Sequence, residues 1–349
     1  MTNQTRYPYL DILRCLAILG VVLIHNASPL VNMTWIRQPD LWWFGNTANA
    51  AFRFAVPVFL MLSGATLLGR EMPLVDFYKR RYTKVLLPFL FWIPAYIIFR
   101  WLVLRSSLQP HDWNGIINFI TDLWTKDGIS KHFWYIWMIL FLYLIIPFIG
   151  KFVRNLNLKQ LWIILLIWIL ITQFSLKVPL NPYGWSGNIA QKFFGYSLYI
   201  SYILMGYALF ITPLNGRQIR IVALMTFIIT IIIAVFGVWM MSKGGRLNQT
   251  FHGYLHFNTI LQSIAIFLIF KDIQIRNKVL LRFSSDLSDY SYGIYLSHMI
   301  IIGTLFYHGI YWKFAHPLIS IPLLTLGVLF ASWLLIWILR KIRQFTFMK

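Results

Sequence analysis

Arg14 and His25 stand eleven residues apart in the apolar run YLDILRCLAILGVVLIHN, residues 9–26. On a helix of 3.6 residues per turn this spacing places both on one face, about 20° apart in azimuth and roughly 16 Å apart along the axis. Asp11 lies one turn before Arg14 on the same side, close enough to pair with it and too far along the helix to reach His25. An arginine at the centre of a bilayer costs about 3 kcal/mol even on the lenient insertion scale, so it normally faces a bundle interior or a watery cavity. Imidazole is the side chain whose ordinary pKa suits proton transfer near neutral pH, which makes His25 a candidate general base.

Other polar residues interrupt apolar runs further along the chain. Arg53 falls inside NAAFRFAVPVFLMLSG, where Pro57 and Gly64 offer a kink and a close backbone approach and Ser63 a hydroxyl. The segment REMPLVDFYKRRYTK, residues 70–84, reads as a loop that sets Arg80 and Arg81 just before a span and Lys84 in its first turn. Guanidinium groups there suit a phosphorylated ligand, because they make forked contacts with phosphate. His132 opens HFWYIWMILFLYLIIP at the edge of a span, and Tyr295 and His298, three residues apart, are neighbours on one helix face. His252 and His256 are four apart, with no acid near them in sequence to complete a metal site.

These groups need apolar elements to hold them. Hydrophobic residues make up 59% and charged residues 12% of the 349, which is the composition of an integral membrane protein. Taking 17 to 25 apolar residues as one span, the chain holds ten: 10–30, 46–69, 83–105, 132–150, 160–177, 192–212, 219–241, 253–270, 290–312 and 318–339. The expected fold is therefore all-α, one membrane domain over 1–349 with about ten transmembrane helices and no appended soluble domain. Of the 31 basic residues, 19 fall on one side of this layout, in the connectors at 70–82, 151–159, 213–218 and 271–289, both termini and the adjoining helix ends. The positive-inside rule then puts both termini in the cytoplasm. The excess of Lys and Arg marks topology and contact with membrane lipids, not a nucleic-acid groove. No small-residue cleavage site follows the first run, so it reads as a retained helix and not a signal peptide.

The opposite connectors, TWIRQPDLWWFG at 34–45, QPHDWNG at 109–115 and NPYGWSGN at 181–188, are rich in Trp, Asn, Gly and Pro. They suit an interfacial aromatic belt or stacking on a sugar ring. Cys15, the single cysteine, has no internal partner. With no HExxH, Walker glycine loop or GxSxG, metal hydrolysis, ATP-driven transport and serine-hydrolase chemistry lack support. Intramembrane charge alone would equally suit a transporter or flippase for a lipid-linked saccharide, with Arg14, Arg53 and His25 on its path. Neither repeated halves nor broken helix pairs are expected from the sequence, which speaks against that class.

Five of these stretches resemble, in order, the motifs of the membrane acyltransferase 3 family. Arg14 to His25 resembles its opening arginine, ten residues and histidine; RFAVPVFLMLSGATLL at 53–68 resembles its VPxFFxxSGxxL; and FYKRRYTKVLLP at 77–88 resembles its FxxRRxxRxxxP. HFWYIWMILFLYLIIP at 132–147 is similar to its HLWFL stretch, and YSYGIYLSH at 290–298 to its SxxIYLxH. The likeness runs from residue 9 to about 298 and leans toward surface-polysaccharide O-acetyltransferases of the type acting on enterobacterial common antigen. It implies a bacterial inner-membrane enzyme that takes an acyl group, usually acetyl, from acyl-CoA to a hydroxyl of an envelope glycan or lipid-linked sugar, without a metal. By that resemblance His25 and Arg14 form the catalytic pair, and Arg80, Arg81, Lys84 and Arg14 bind acetyl-CoA. Arg53, Ser63, His132 and His298 become substrate-binding candidates. Lys84 stands where the family often has arginine, and Ala65 where it often has an aromatic. Direct transfer and an acyl-histidine relay both remain open.

Overall fold

The computed structural model describes residues 6–102, 130–177 and 189–342, so the connectors 109–115 and 181–188 lie outside the described residues. No strand occurs among the described residues. The helices are α1 (Pro8–Thr34), α2 (Pro39–Ala51), α3 (Ala55–Leu67), α4 (Leu74–Leu102), α5 (Trp134–Val153) and α6 (Leu158–Ser175). They continue as α7 (Ile189–Leu198), α8 (Ile200–Ile211), α9 (Arg217–Ser242), α10 (Phe257–Phe270), α11 (Lys278–Tyr307) and α12 (Pro317–Lys341). Nine stretches among the described residues are long and apolar enough to cross a membrane, where α2 with α3, α7 with α8, and the short turns before α5 and α10 each count with their neighbour. The chain is an all-α integral membrane protein. The tenth expected run lies on α11, which is thirty residues long but whose apolar stretch is interrupted by Tyr290, Ser291, Tyr292, Tyr295, Ser297 and His298.

Burial separates an inner set of helices from an outer one. On α1, Leu13, Ala17, Ile18, Val22, Ala27, Leu30 and Val31 are fully buried, and the helix packs on α2, α3, α11 and α12. Helices α6, α9 and α12 instead expose rows of large aliphatic residues, such as Leu166, Leu170, Ile228, Ile232, Leu323 and Leu326. With lipid as solvent this is the expected outer face, since hydrocarbon tails impose no penalty on it. Of the polar side chains singled out in the sequence, Arg14 and His25 lie on α1 and Tyr295 and His298 on α11.

Two spans are interrupted, against the expectation of unbroken helices. The first breaks at Phe52–Phe54, between α2 and α3, and the cause is legible in the chain. Pro57 has no N–H to give and its ring crowds the carbonyl four residues back, which belongs to Arg53. The carbonyls freed at the end of α2 are recovered by Gln262 of α10, whose amide donates to Ala50 O at 2.9 Å and Ala51 O at 3.4 Å. This is how a bilayer tolerates a broken helix. The second interruption falls at Tyr199, between α7 and α8. Pro29 stands in the same i+4 relation to His25 as Pro57 does to Arg53, so the His25 carbonyl also lacks its helical donor.

The half-helices α3 and α8 cross at two glycines. A Cβ on Gly64 would lie 1.9 Å from Ile203 O, and one on Gly206 would lie 1.9 Å from Met61 O. Neither carbonyl can yield without moving its helix, and small residues are what allow such an approach in membranes. Gly206→Ala is expected to destabilise the protein by at least about 1–3 kcal/mol, seen as a lower melting temperature in detergent. Ala208→Gly, two residues along the same helix, should cost less because it removes a methyl group and forces no backbone apart.

Helix α4 starts at Leu74, earlier than expected, so Arg80, Arg81 and Lys84 lie on a helix and not in a loop. Successive residues on a helix point about 100° apart, whereas Arg81 and Lys84 at i,i+3 share a face. Arg80 is accordingly exposed, while Arg81 is half-buried.

Candidate active site

One cavity, of about 540 Å³, opens at the end of the bundle that holds Arg14. Arg14, Arg81, Lys84 and Arg340 supply its positive charge, and Ser63, Tyr135, Tyr143 and Tyr295 line it further along. Arg14 is held from two sides. Its Nη1 donates to Ser288 Oγ at 2.7 Å and to Asp11 Oδ1 at 3.3 Å, and Ser288 Oγ itself donates to Asp11 Oδ1 at 2.7 Å. Arg6 donates to Asp11 Oδ2 at 2.6 Å and reaches Asp289 at 3.2 Å. Asp11 thus pairs with Arg14, as the spacing requires, and ties α1 to α11. Arg81 and Lys84 have no carboxylate partner among the described residues, and Arg81 Nε is buried without a hydrogen bond. The cavity keeps an unneutralised positive charge, which suits an anion such as a phosphate group. Arg80 is exposed and does not line it.

His25 meets two other histidines. Its ring centroid lies 5.1 Å from that of His298 and 6.3 Å from that of His132, and the latter two are 5.1 Å apart. His132 is buried, not facing water at a span edge as a histidine at that place in the sequence would ordinarily do. It sits on the short turn Lys131–Phe133, with Nδ1 2.7 Å from Ser130 Oγ and Nε2 3.4 Å from Tyr96 Oη. Tyr96 donates to Leu296 O at 2.8 Å, and Tyr295 donates to the His132 carbonyl. His298 Nδ1 contacts the carbonyls of Tyr295 and Ile294 at 2.7 and 3.2 Å, while its Nε2 is buried without a partner. His25 makes no hydrogen bond among the described residues. Of the three rings it alone has both nitrogens uncommitted. No group of three side chains placed to hold a metal ion occurs among the described residues.

The candidates divide between two ends. Ser63 lines the Arg14 cavity, its hydroxyl donating to Phe59 O at 3.1 Å. Arg53 lines a second cavity, of about 1070 Å³, which shares no lining residue with the first. Arg53 donates to Asn49, whose amide donates to Ser28 Oγ at 3.3 Å, three residues past His25 on α1. The guanidinium also lies 5.5 Å from the Tyr254 ring centroid and within electrostatic reach of His25. The histidine cluster meets Tyr295, which lines the first cavity, and His25 lies within electrostatic reach of Arg53, which lines the second. Sequence spacing did not reveal Tyr96, Ser130, Gln262 or Tyr254, because each reaches the site from a distant element and none carries a local signature.

No curated protein and no solved structure matches the chain. The family model described as acyltransferase domain, acyltransferase 3, matches residues 7–337, nearly the whole chain. It spans α1 through most of α12, and so covers both cavities and the histidines between them. The chain belongs to this family and is a membrane acyltransferase.

Proposed function

We propose that the protein is an O-acetyltransferase of the bacterial inner membrane, moving acetyl from acetyl-CoA to a hydroxyl of an envelope polysaccharide or lipid-linked sugar. Both termini and the Arg14 cavity face the cytoplasm, in keeping with the distribution of basic residues. The observation that carries this reading is the Arg14 cavity itself, cationic at its mouth and lined by tyrosines up to Tyr295, which touches His132 and His298. Arg81, Lys84 and Arg14 hold the phosphates of the donor, with the pantetheine arm lying along α1 over the roughly 16 Å to His25.

His25 then takes the proton of the acceptor hydroxyl as its oxygen attacks the thioester carbonyl. The carbon–sulfur bond breaks, and the thiolate leaves and receives a proton to give free CoA. In a relay, His25 itself is acetylated and then discharged to the hydroxyl. Brief incubation with labelled acetyl-CoA in the absence of acceptor separates the two, because only the relay leaves label on the protein.

Broken helices are also a feature of transporters, so the test is chosen to divide the classes. Purified protein in nanodiscs is expected to transfer or hydrolyse the acetyl group of radiolabelled acetyl-CoA. A transporter for lipid-linked saccharide would leave the label on CoA, and that result would discard the proposal. Comparing envelope glycans with and without the gene by mass spectrometry should then show one acetyl mass difference on the acceptor sugar.

A further inference from the structure

The Arg53 cavity is built from charge of one sign and from rings. Arg53, Lys177 and Arg246 line it together with His252, Trp134 and Tyr254, and no Asp or Glu is among its lining residues. Arg53 has no ion-pair partner among the described residues, and its Nε is buried without a hydrogen bond. Asn49 and Tyr254 satisfy it only in part, since neither carries a full negative charge. His252 is 3% exposed, yet both of its ring nitrogens lack a partner. Buried polar groups are nearly always bonded, so an orphaned ring on a cavity wall marks a ligand position. Trp134 and Tyr254 stack on one another, with centroids 5.7 Å apart and planes 25° apart, giving an apolar wall beside these donors. Lys177 and Arg246 are exposed at the rim.

We propose that this cavity is an acceptor subsite for the fixed negative charge of an anionic glycan, a sugar carboxylate or a glycosyl phosphate, held by Arg53 and His252 beside the Trp134–Tyr254 wall. The assignment rests on the glycan O-acetyltransferase function above and narrows its acceptor to charged sugars. A neutral sugar would leave the half-buried Arg53 guanidinium without an anionic partner and its Nε unsatisfied, and discrimination between charged and neutral ligands follows from that cost. Arg53 acts on specificity, by fixing the anion while the hydroxyl to be acylated is turned toward His25.

The test uses full-length protein in nanodiscs and three probes in calorimetric titration: an N-acetylglucosamine disaccharide, its glucuronic-acid-containing counterpart, and N-acetylglucosamine 1-phosphate. At least one anionic probe should bind about tenfold or more tighter than the neutral one, with affinity falling as salt is raised. Preference for the carboxylate alone assigns a sugar acid, and preference for the phosphate alone assigns the phosphate linkage of a lipid-borne glycan. Arg53→Gln should abolish the preference, whereas Lys177→Gln with Arg246→Gln, both at the rim, should weaken it about two- to fivefold. Equal binding of all three probes, binding of none, or a preference that survives Arg53→Gln would each overturn the proposal. If Arg53→Gln fails to fold, as judged by its melting temperature, His252→Asn and the rim pair decide, and full preference in both overturns it. Acetyl-CoA titrated into the same samples reports separately on the donor site. Absent donor binding with intact anion preference would fault the transferase function and leave the subsite standing.

Discussion

Purified His25→Ala is expected to lose acetyl transfer by about 10²- to 10⁴-fold, the usual worth of a positioned proton acceptor. Its melting temperature and its affinity for acetyl-CoA should stay near those of the wild type. The reason lies in how the three histidines are held. His132 has both nitrogens engaged, by Ser130 and Tyr96, and His298 has Nδ1 fixed against backbone carbonyls. His25 has both nitrogens free, whereas His298 has only Nε2 open, on a ring whose Nδ1 is fixed. His298→Asn should therefore cost less than His25→Ala, because it disturbs the neighbour and leaves the acceptor in place. Near-normal turnover in His25→Ala would move the chemistry elsewhere in the cluster.

The second large effect divides two adjacent arginines. Arg81→Ala is expected to weaken acetyl-CoA binding by about 10- to 100-fold, since a hydrogen bond to a charged group is worth about 1.5–3 kcal/mol and 1.4 kcal/mol is tenfold in affinity. Arg80→Ala should change it by less than about threefold, because an exposed charge off the cavity is screened by solvent. Isothermal titration with acetyl-CoA measures both. Equal losses in the two variants would mean that the positive field of the whole α4 start matters, not the cavity face.

What the sequence could reveal follows from how local each signal is. Arg14, Asp11 and His25 share one helix, and a 3.6-residue period is enough to place them on one face. The apolar runs likewise announced the membrane and the helices, because every backbone group must be satisfied within the span. The start of α4 at Leu74 was missed since FYKRRYTK is too polar for a span, although a helix can run past the bilayer edge. On the helix that starts there, Arg81 and Lys84 share a face that Arg80 does not. The break at Arg53 was half legible: Pro57 gave the cause, but the repair by Gln262 comes from α10, more than two hundred residues away. The meeting of His25, His132 and His298 belongs to packing among three segments that no single period encodes.

The separation of the two cavities bears on the membrane as an insulator. They share no lining residue, and Tyr295 on the wall of the first meets His132 and His298, which pack with His25. Moving one elementary charge through a bilayer costs about 2.3 kcal/mol per 100 mV. In the proposed reaction a neutral thioester becomes a neutral thiol on one side, and a neutral hydroxyl becomes a neutral ester on the other. If the proton leaving the hydroxyl passes inward along the histidines as the acetyl group passes outward, no net charge crosses. Turnover in sealed vesicles would then be indifferent to an imposed voltage, and the protein would carry acetyl groups through the bilayer without acting as an ion leak.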